Sequence, residues 1–242
     1  MSADDVRAVL KSKNLREYRE SAEMLSGPDR AGGAMRPIAN GRFVNVIAAW
    51  SAPPGSADNY QADGESYEVL FTPVPGRERA VAIIHSVGYA PANALREAPL
   101  EAALAKKYGG YPGAGGLPQS PTWRFQATGA VEVGDACARR ATVGGLSGLA
   151  ASAPRENVSL KLGTEELRFQ VEHCGIAIVT EDQFTANGGA LREDRVVTRY
   201  TVTAYSPSLA LEGASAAARL VQGGSGNPVG VVAVKAPGIP DL

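Results

Sequence analysis

Gly41-Arg42-Phe43-Val44-Asn45-Val46-Ile47-Ala48-Ala49-Trp50 alternates with period two and reads as a β-strand. Regular alternation would set Phe43, Asn45, Ile47 and Ala49 on one face and Val44, Val46, Ala48 and Trp50 on the other. Both faces are mostly apolar, which suits an inner strand of a sheet. Downstream comes a polar loop rich in Pro, Gly, Ser and Asp over residues 51 to 66. Tyr67, Val69 and Phe71 then mark a second strand, and Val81, Ile83, Val87 and Tyr89 a third, separated by the turn Pro73-Val74-Pro75-Gly76. Pro99 fits position N1 of a helix with Leu100, Ala103, Leu104 and Lys107 along one side, and Gly109-Gly110 stops it.

Upstream, Ser2-Ala3-Asp4-Asp5 reads as a capping box, with Met1 and Val6 at the spacing of a hydrophobic staple and the apolar stripe continuing through Val9 and Leu10. The segment from Leu15 to Leu25 fits a helix through Tyr18, Ala22 and Leu25, or a strand through Tyr18, Ala22 and Met24; strand is the assignment taken.

Thirteen uncharged residues from Gly109 to Pro121, rich in Gly and Pro, form the best candidate boundary. Beyond them Trp123, Phe125 and Ala127 alternate as a strand, Leu167, Phe169 and Val171 as another, and Val197, Thr201, Thr203 and Tyr205 as a third. Ser206 and Pro207 are N-cap and N1 of an Ala-rich helix reaching Val221, and Val229 to Val234 could add an edge strand in a Gly/Pro-rich tail. The predicted fold is α+β, with antiparallel sheets each covered by a helix, the helices being those after Pro99 and Pro207. Two similar lobes, 1–112 and 122–242, joined by a linker at 113–121, are expected, with one continuous domain as the alternative.

The chemistry available is sparse. With 24 basic and 25 acidic residues the net charge is -1, which gives no field for a polyanion and excludes nucleic acid as an expected partner. No apolar run approaches the roughly 20 residues of a membrane helix. The two histidines are His85 and His173. His85 shares a strand face with Val81, Ile83 and Val87 and reads as a hydrogen-bonded core or edge residue before it reads as a base. His173 adjoins Cys174, and strand neighbours point to opposite faces, the wrong geometry for a thiolate-imidazole pair. No metal-ligand spacing occurs, so no metal or cofactor is expected. Glu181-Asp182 and Glu193-Asp194 flank a Gly-Gly loop and read as solvated acids. The glycine runs at 113–116 and 223–226 lack the flanking strand, helix and Gly-Lys-Ser/Thr of a phosphate loop, and Gly145-Leu146-Ser147-Gly148 misses the nucleophile elbow by one position. Catalytic residues are accordingly not assigned.

Met1-Ser2-Ala3-Asp4-Asp5-Val6-Arg7-Ala8-Val9-Leu10 resembles the opening Met-Ser/Thr-x-x-Glu/Asp-Val-x-x-x-Leu of small envelope domains related to the outer-membrane assembly lipoprotein BamE (SmpA/OmlA), without the Gly that usually precedes that Met. The Gly-terminated helix between Leu100 and Pro112 is similar to those of exported proteins of this kind. Together the two runs cover about a tenth of the chain, and the resemblance implies the cell envelope and no functional residue. Cys137, just after the turn Gly134-Asp135, and Cys174, next to Gly175, are the only cysteines. A disulfide between them would place the protein outside the reducing cytosol; two free buried thiols are the alternative. No signal-peptide pattern precedes the first helix, so the chain reads as a mature exported form, periplasmic or secreted, or as cytoplasmic if the cysteines are free. The expected function is a non-enzymatic binding or accessory domain of the bacterial envelope, whose partner is another envelope protein or a surface polymer. The alternative is a hydrolase with a carboxylate or Ser/Thr site, for which two convergent carboxylates with shifted pKa values in one pocket would be the mark.

Overall fold

Ser2 has extended backbone and accepts a hydrogen bond from the Asp5 amide, while the Asp5 carboxylate takes one from the Ser2 amide at 2.8 Å. This closed capping box starts helix α1 (Ala3–Ser12) in the computed structural model of the protein, which describes residues 1–13, 15–28, 35–51, 64–90, 92–109, 122–124, 177–185 and 196–221. Ala3, Val6 and Leu10 make the buried stripe of α1. Val9 falls outside it and is 43 % exposed, because a 100° step per residue carries it off the face that Val6 and Leu10 share. Burying side chains such as Val6 and Leu10 stabilises the fold by roughly 1.5–3 kcal/mol each.

After α1 come β1 (Glu17–Pro28), β2 (Met35–Trp50), β3 (Gly64–Phe71), β4 (Ala80–Gly88), the two-residue β5 (Leu95–Arg96) and α2 (Glu97–Tyr108). Then follow β6 (Thr122–Arg124), β7 (Ala177–Thr185), β8 (Val196–Tyr205) and α3 (Pro207–Val221). The segment from Leu15 to Leu25 is thus strand from Glu17 onward, and Ser206 caps α3 through its Oγ, which accepts from the Leu209 amide at 3.4 Å. The fold is α+β.

All the described strands belong to one antiparallel sheet of order β1-β2-β3-β4-β8-β7-β6, with β5 pairing the Val196–Val197 end of β8 in line with β4. This corrects the expectation of separate sheets. The strands on either side of residues 113–121 meet where β4 pairs β8, from Ala82 opposite Tyr205 to Gly88 opposite Arg199.

Register assigns the faces. Tyr67 and Val69 of β3 oppose His85 and Ile83 of β4, which oppose Val202 and Ala204 of β8, so all six side chains share the first face. Helix α1 packs there against Tyr67, Val69 and Phe71, and α2 against Val202 and Ala204. Leu70 and Ala82 lie on the second face, where α3 covers them with Leu209 and Ala210 and reaches Leu25 and Phe43 with Ala217. The helices after Pro99 and Pro207 therefore cover opposite faces of one sheet.

Two local expectations need correction. The alternation of β2 breaks at Asn45, which is left without a partner between Ser21↔Val46 and Ala22↔Val44. This bulge flips the parity of the strand. Val44 joins Ile47 and Ala49 in the α1 core, and Phe43 joins the α3 core. Asn45 holds the bulge itself, accepting from Ser21 Oγ and donating to Glu23 Oε1, both at 2.8 Å, while the Val44 amide donates to Glu78 Oε1 at 3.2 Å. The second correction concerns α2, which begins at Glu97 after the N-cap Arg96, so that Pro99 is N3 and not N1. Its buried stripe is Glu97, Leu100, Leu104 and Tyr108, leaving Ala103 and Lys107 exposed. Pairing of β5 with β8 immediately before the helix sets this rotation.

The turn at Pro73-Val74-Pro75-Gly76 forms as expected, with Gly76 at φ 69 and the Thr72 and Arg79 backbones joined at 2.9 Å. The N-terminus is sewn to its far side, where the Ala80 amide donates to the Met1 carbonyl at 2.9 Å. Among the described residues, no helix is long and apolar enough to cross a membrane.

Candidate functional site

Three side chains at the β3–β4 hairpin form one polar unit on the first face. Glu65 and Tyr67 lie two apart on β3 and so point the same way, and His85 stands directly opposite Tyr67 on β4. Their rings stack at 4.3 Å between centroids and 8° between planes. The diagonal from His85 to Glu65 is within reach of long side chains, and His85 Nε2 meets Glu65 Oε1 at 2.8 Å. The Tyr67 hydroxyl donates to the same Oε1. Ser51 fixes the Glu65 backbone from both sides: its amide donates to the Glu65 carbonyl and its Oγ accepts from the Glu65 amide, each at 2.8 Å. Lys13, the C-cap of helix α1, holds its ammonium 4.8 Å from the centre of the Tyr67 ring.

These contacts set the charges. Burial pushes Glu65 up, but the hydrogen bonds from Tyr67 and His85 and the positive charge of Lys13 outweigh it and hold the carboxyl below its ordinary value. Burial holds the His85 imidazole below its ordinary 6.5, with Lys13 and Lys107 acting in the same direction against the opposing pull of Glu65. At neutral pH the unit is therefore a carboxylate bonded to a neutral imidazole, with the proton on Nε2 facing Glu65. Burial raises the phenols of Tyr67 and Tyr200, so both keep their protons.

Beside this unit opens a cleft of about 630 Å³. Glu65 and His85 form one wall, and Tyr89 and Tyr200, with ring centroids 6.1 Å apart, form another. Val87, the cross-strand partner of Tyr200, lines it between them. Gly64 and Gly88 are partners across the β3–β4 end, so among the described residues no side chain closes the cleft there. Asn93 and Ser51 add polar groups at its margin. The cleft is broadly open to solvent, and its volume falls within the roughly 300–1,000 Å³ that small-ligand pockets span.

His85 is the one residue weighed from sequence that the structure brings into this site. Its reading as a hydrogen-bonded residue on the face of Ile83 and Val87 holds, and the partner is now identified; Val81, expected on that face, packs instead with Leu70 and Ala82 on the second, past a register shift in the hairpin. Glu181 and Asp182, expected in a loop, are strand residues of β7 opposite Thr201 and Tyr200; a neighbouring strand converts what composition marks as a polar loop into sheet. Cys137, Cys174, His173, Glu193, Asp194, the glycine runs at 113–116, 145–148 and 223–226, and the strand expected at Leu167 lie outside the described residues. Sequence reasoning missed Glu65, Tyr67 and Tyr200. A signal for Tyr67 was present: Tyr67 and His85 lie nine residues either side of Gly76, so centring the hairpin on its turn places them opposite each other. Among the described residues no three His, Cys, Asp or Glu side chains gather as a metal site, and Glu65 is the one carboxylate on the cleft.

No family model matches the chain, and neither does any curated protein or solved structure.

Proposed function

We propose that the protein is a ligand-binding domain of the exported bacterial envelope, without chemistry of its own, whose ligand occupies the cleft beside Glu65 and His85. The observation that carries this reading is the preorganised wall: Glu65 Oε1 is held by two donors from the sheet, and the His85 ring is locked against Tyr67. Groups already ordered before binding cost little entropy when a ligand arrives. An envelope protein or surface polymer would present to the cleft a group small enough to enter it. The exported location rests on the disulfide expected from sequence between Cys137 and Cys174 and on the resemblance of the first helix; alkylation of unreduced, denatured protein should leave both sulfurs unlabelled.

A second reading, general-base hydrolysis, is favoured by one feature, the carboxylate that orients His85. Glycoside chemistry would need a second carboxylate across the cleft. Fragment screening by amide chemical-shift mapping on the whole chain separates these readings from a third, binding elsewhere. Binders should shift His85, Tyr89 and Tyr200 and be recovered unaltered. Binders that map to α3 instead would remove the cleft from consideration, and turnover that is lost in His85→Gln would install the enzyme reading.

A further inference from the structure

The charges around the cleft narrow its ligand. With His85 neutral, Glu65 is, among the described residues, the one lining group that carries a formal charge. Its two oxygens are not equivalent. Oε1 accepts from both the Tyr67 hydroxyl and His85 Nε2. Oε2 receives no hydrogen bond from the described residues and is not among the buried atoms lacking a partner, and the side chain is 40 % exposed. One lobe of a fixed, deprotonated carboxylate thus faces solvent at the cleft. The nearby cations do not line the cleft: Lys13 lies over Tyr67 at 4.8 Å and Lys107 over Tyr108 at 5.3 Å. Across the cleft, Tyr89 and Tyr200 supply π surface at which a cation or a flat apolar body is favoured.

We propose that the cleft binds a protonated primary amine borne on a flat or apolar body, the ammonium donating to Glu65 Oε2 and the body lying against Tyr89 and Tyr200. This rests on the cleft being the binding site. A charge-assisted hydrogen bond to a partly dry carboxylate is about twice as strong as its neutral counterpart. An anion would meet Glu65 at close range, and a neutral isostere would keep only the contact with the rings.

Three probes of one shape test the idea on the whole chain: benzylamine, benzyl alcohol and benzoate, titrated at millimolar concentrations at pH 7.5 with amide shifts as the readout. Benzylamine should bind about tenfold or more tighter than benzyl alcohol, and benzoate weakest of the three. Glu65→Gln should bring benzylamine down to the level of benzyl alcohol. Tyr200→Leu, which keeps the carboxylate, should weaken benzylamine and benzyl alcohol alike, and the comparison of probes on the parent chain needs no variant to fold. Equal or tighter binding of the alcohol or the benzoate at the same residues overturns the amine inference and leaves the cleft as a site. No shift at His85, Tyr89 or Tyr200 with benzylamine also overturns it, while the fragment screen independently judges the cleft.

Discussion

His85 is held neutral by its surroundings, and that has a consequence for stability. The groups facing it are Glu65 and Tyr67 on β3, Lys13 after α1 and Lys107 on α2. Its folded pKa lies below the ordinary 6.5, so the unfolded chain takes up this proton first as pH falls. Stability from this residue is complete above about 6.5 and is lost as pH drops through the folded pKa. Glu65, also lowered, adds a second loss when pH falls below its ordinary 4.5 and through its own folded value. Urea midpoints measured from pH 8 to 2 should therefore decline in two stages, and His85→Gln should abolish the upper one; a midpoint that rises on acidification below 6.5 would contradict the assignment. At the N-terminus, Ser2→Ala removes the side-chain acceptor for the Asp5 amide and should cost about 1 kcal/mol in equilibrium unfolding. A Ser2→Ala protein as stable as the parent would show that α1 is held by its packing alone. The cap was legible in four consecutive residues. The polar unit was not, because Glu65 and His85 are 20 residues apart and become neighbours only through strand register.

Helix α3 lies so close to the β3–β4 turn that one of its own residues must lack a side chain. A Cβ on Gly213 would stand 2.6 Å from the Cβ and Cγ2 of Thr72, which is itself buried and uses its Oγ1 to accept from the Arg79 amide. Gly→Ala in a helix interior ordinarily stabilises by about 1 kcal/mol. Here the clash should reverse the sign, with Gly213→Ala destabilising by about 1–3 kcal/mol in chemical denaturation. A gain in stability would mean that α3 lies farther from the sheet than this. Composition predicted the α3 helix and its cap, but an Ala-rich stretch does not say which small residue meets the sheet. The bulge in β2 has the same origin. Asn45 sits in an unbroken period-two pattern, and only its partners Ser21 and Glu23 on β1, 24 and 22 residues away, show that it is the residue left over. Asn45→Ala should cost about 1–2 kcal/mol through these two lost hydrogen bonds, measurable by the same denaturation.

At the scale of the molecule, β8 is the strand that joins the two halves. It pairs β4 and β5 along one edge and β7 along the other, and Ser86 meets Thr201 across 115 residues of chain at 2.8 Å. Residues 1–112 expressed alone would leave β4 an open edge and lose α3 from the second face, so this fragment should give no cooperative thermal transition, unlike the whole chain. A fragment that melts cooperatively near the parent temperature would show instead that the first half is self-sufficient. The amino-acid sequence by itself determined the α+β class, the two capped helices at Ser2 and Ser206, a strand within Leu15 to Leu25 and the turn at Gly76. Each of these is set by residues within about one turn of helix or one pleat of strand, where steric and hydrogen-bonding preferences act directly. Only the tertiary structure decided that both halves share one sheet, that Val44 and Phe43 exchange faces, and that Glu65, Tyr67 and His85 meet beside a cleft. Those outcomes depend on which strand pairs with which and in what register, a choice made by burial and pairing between segments distant along the chain.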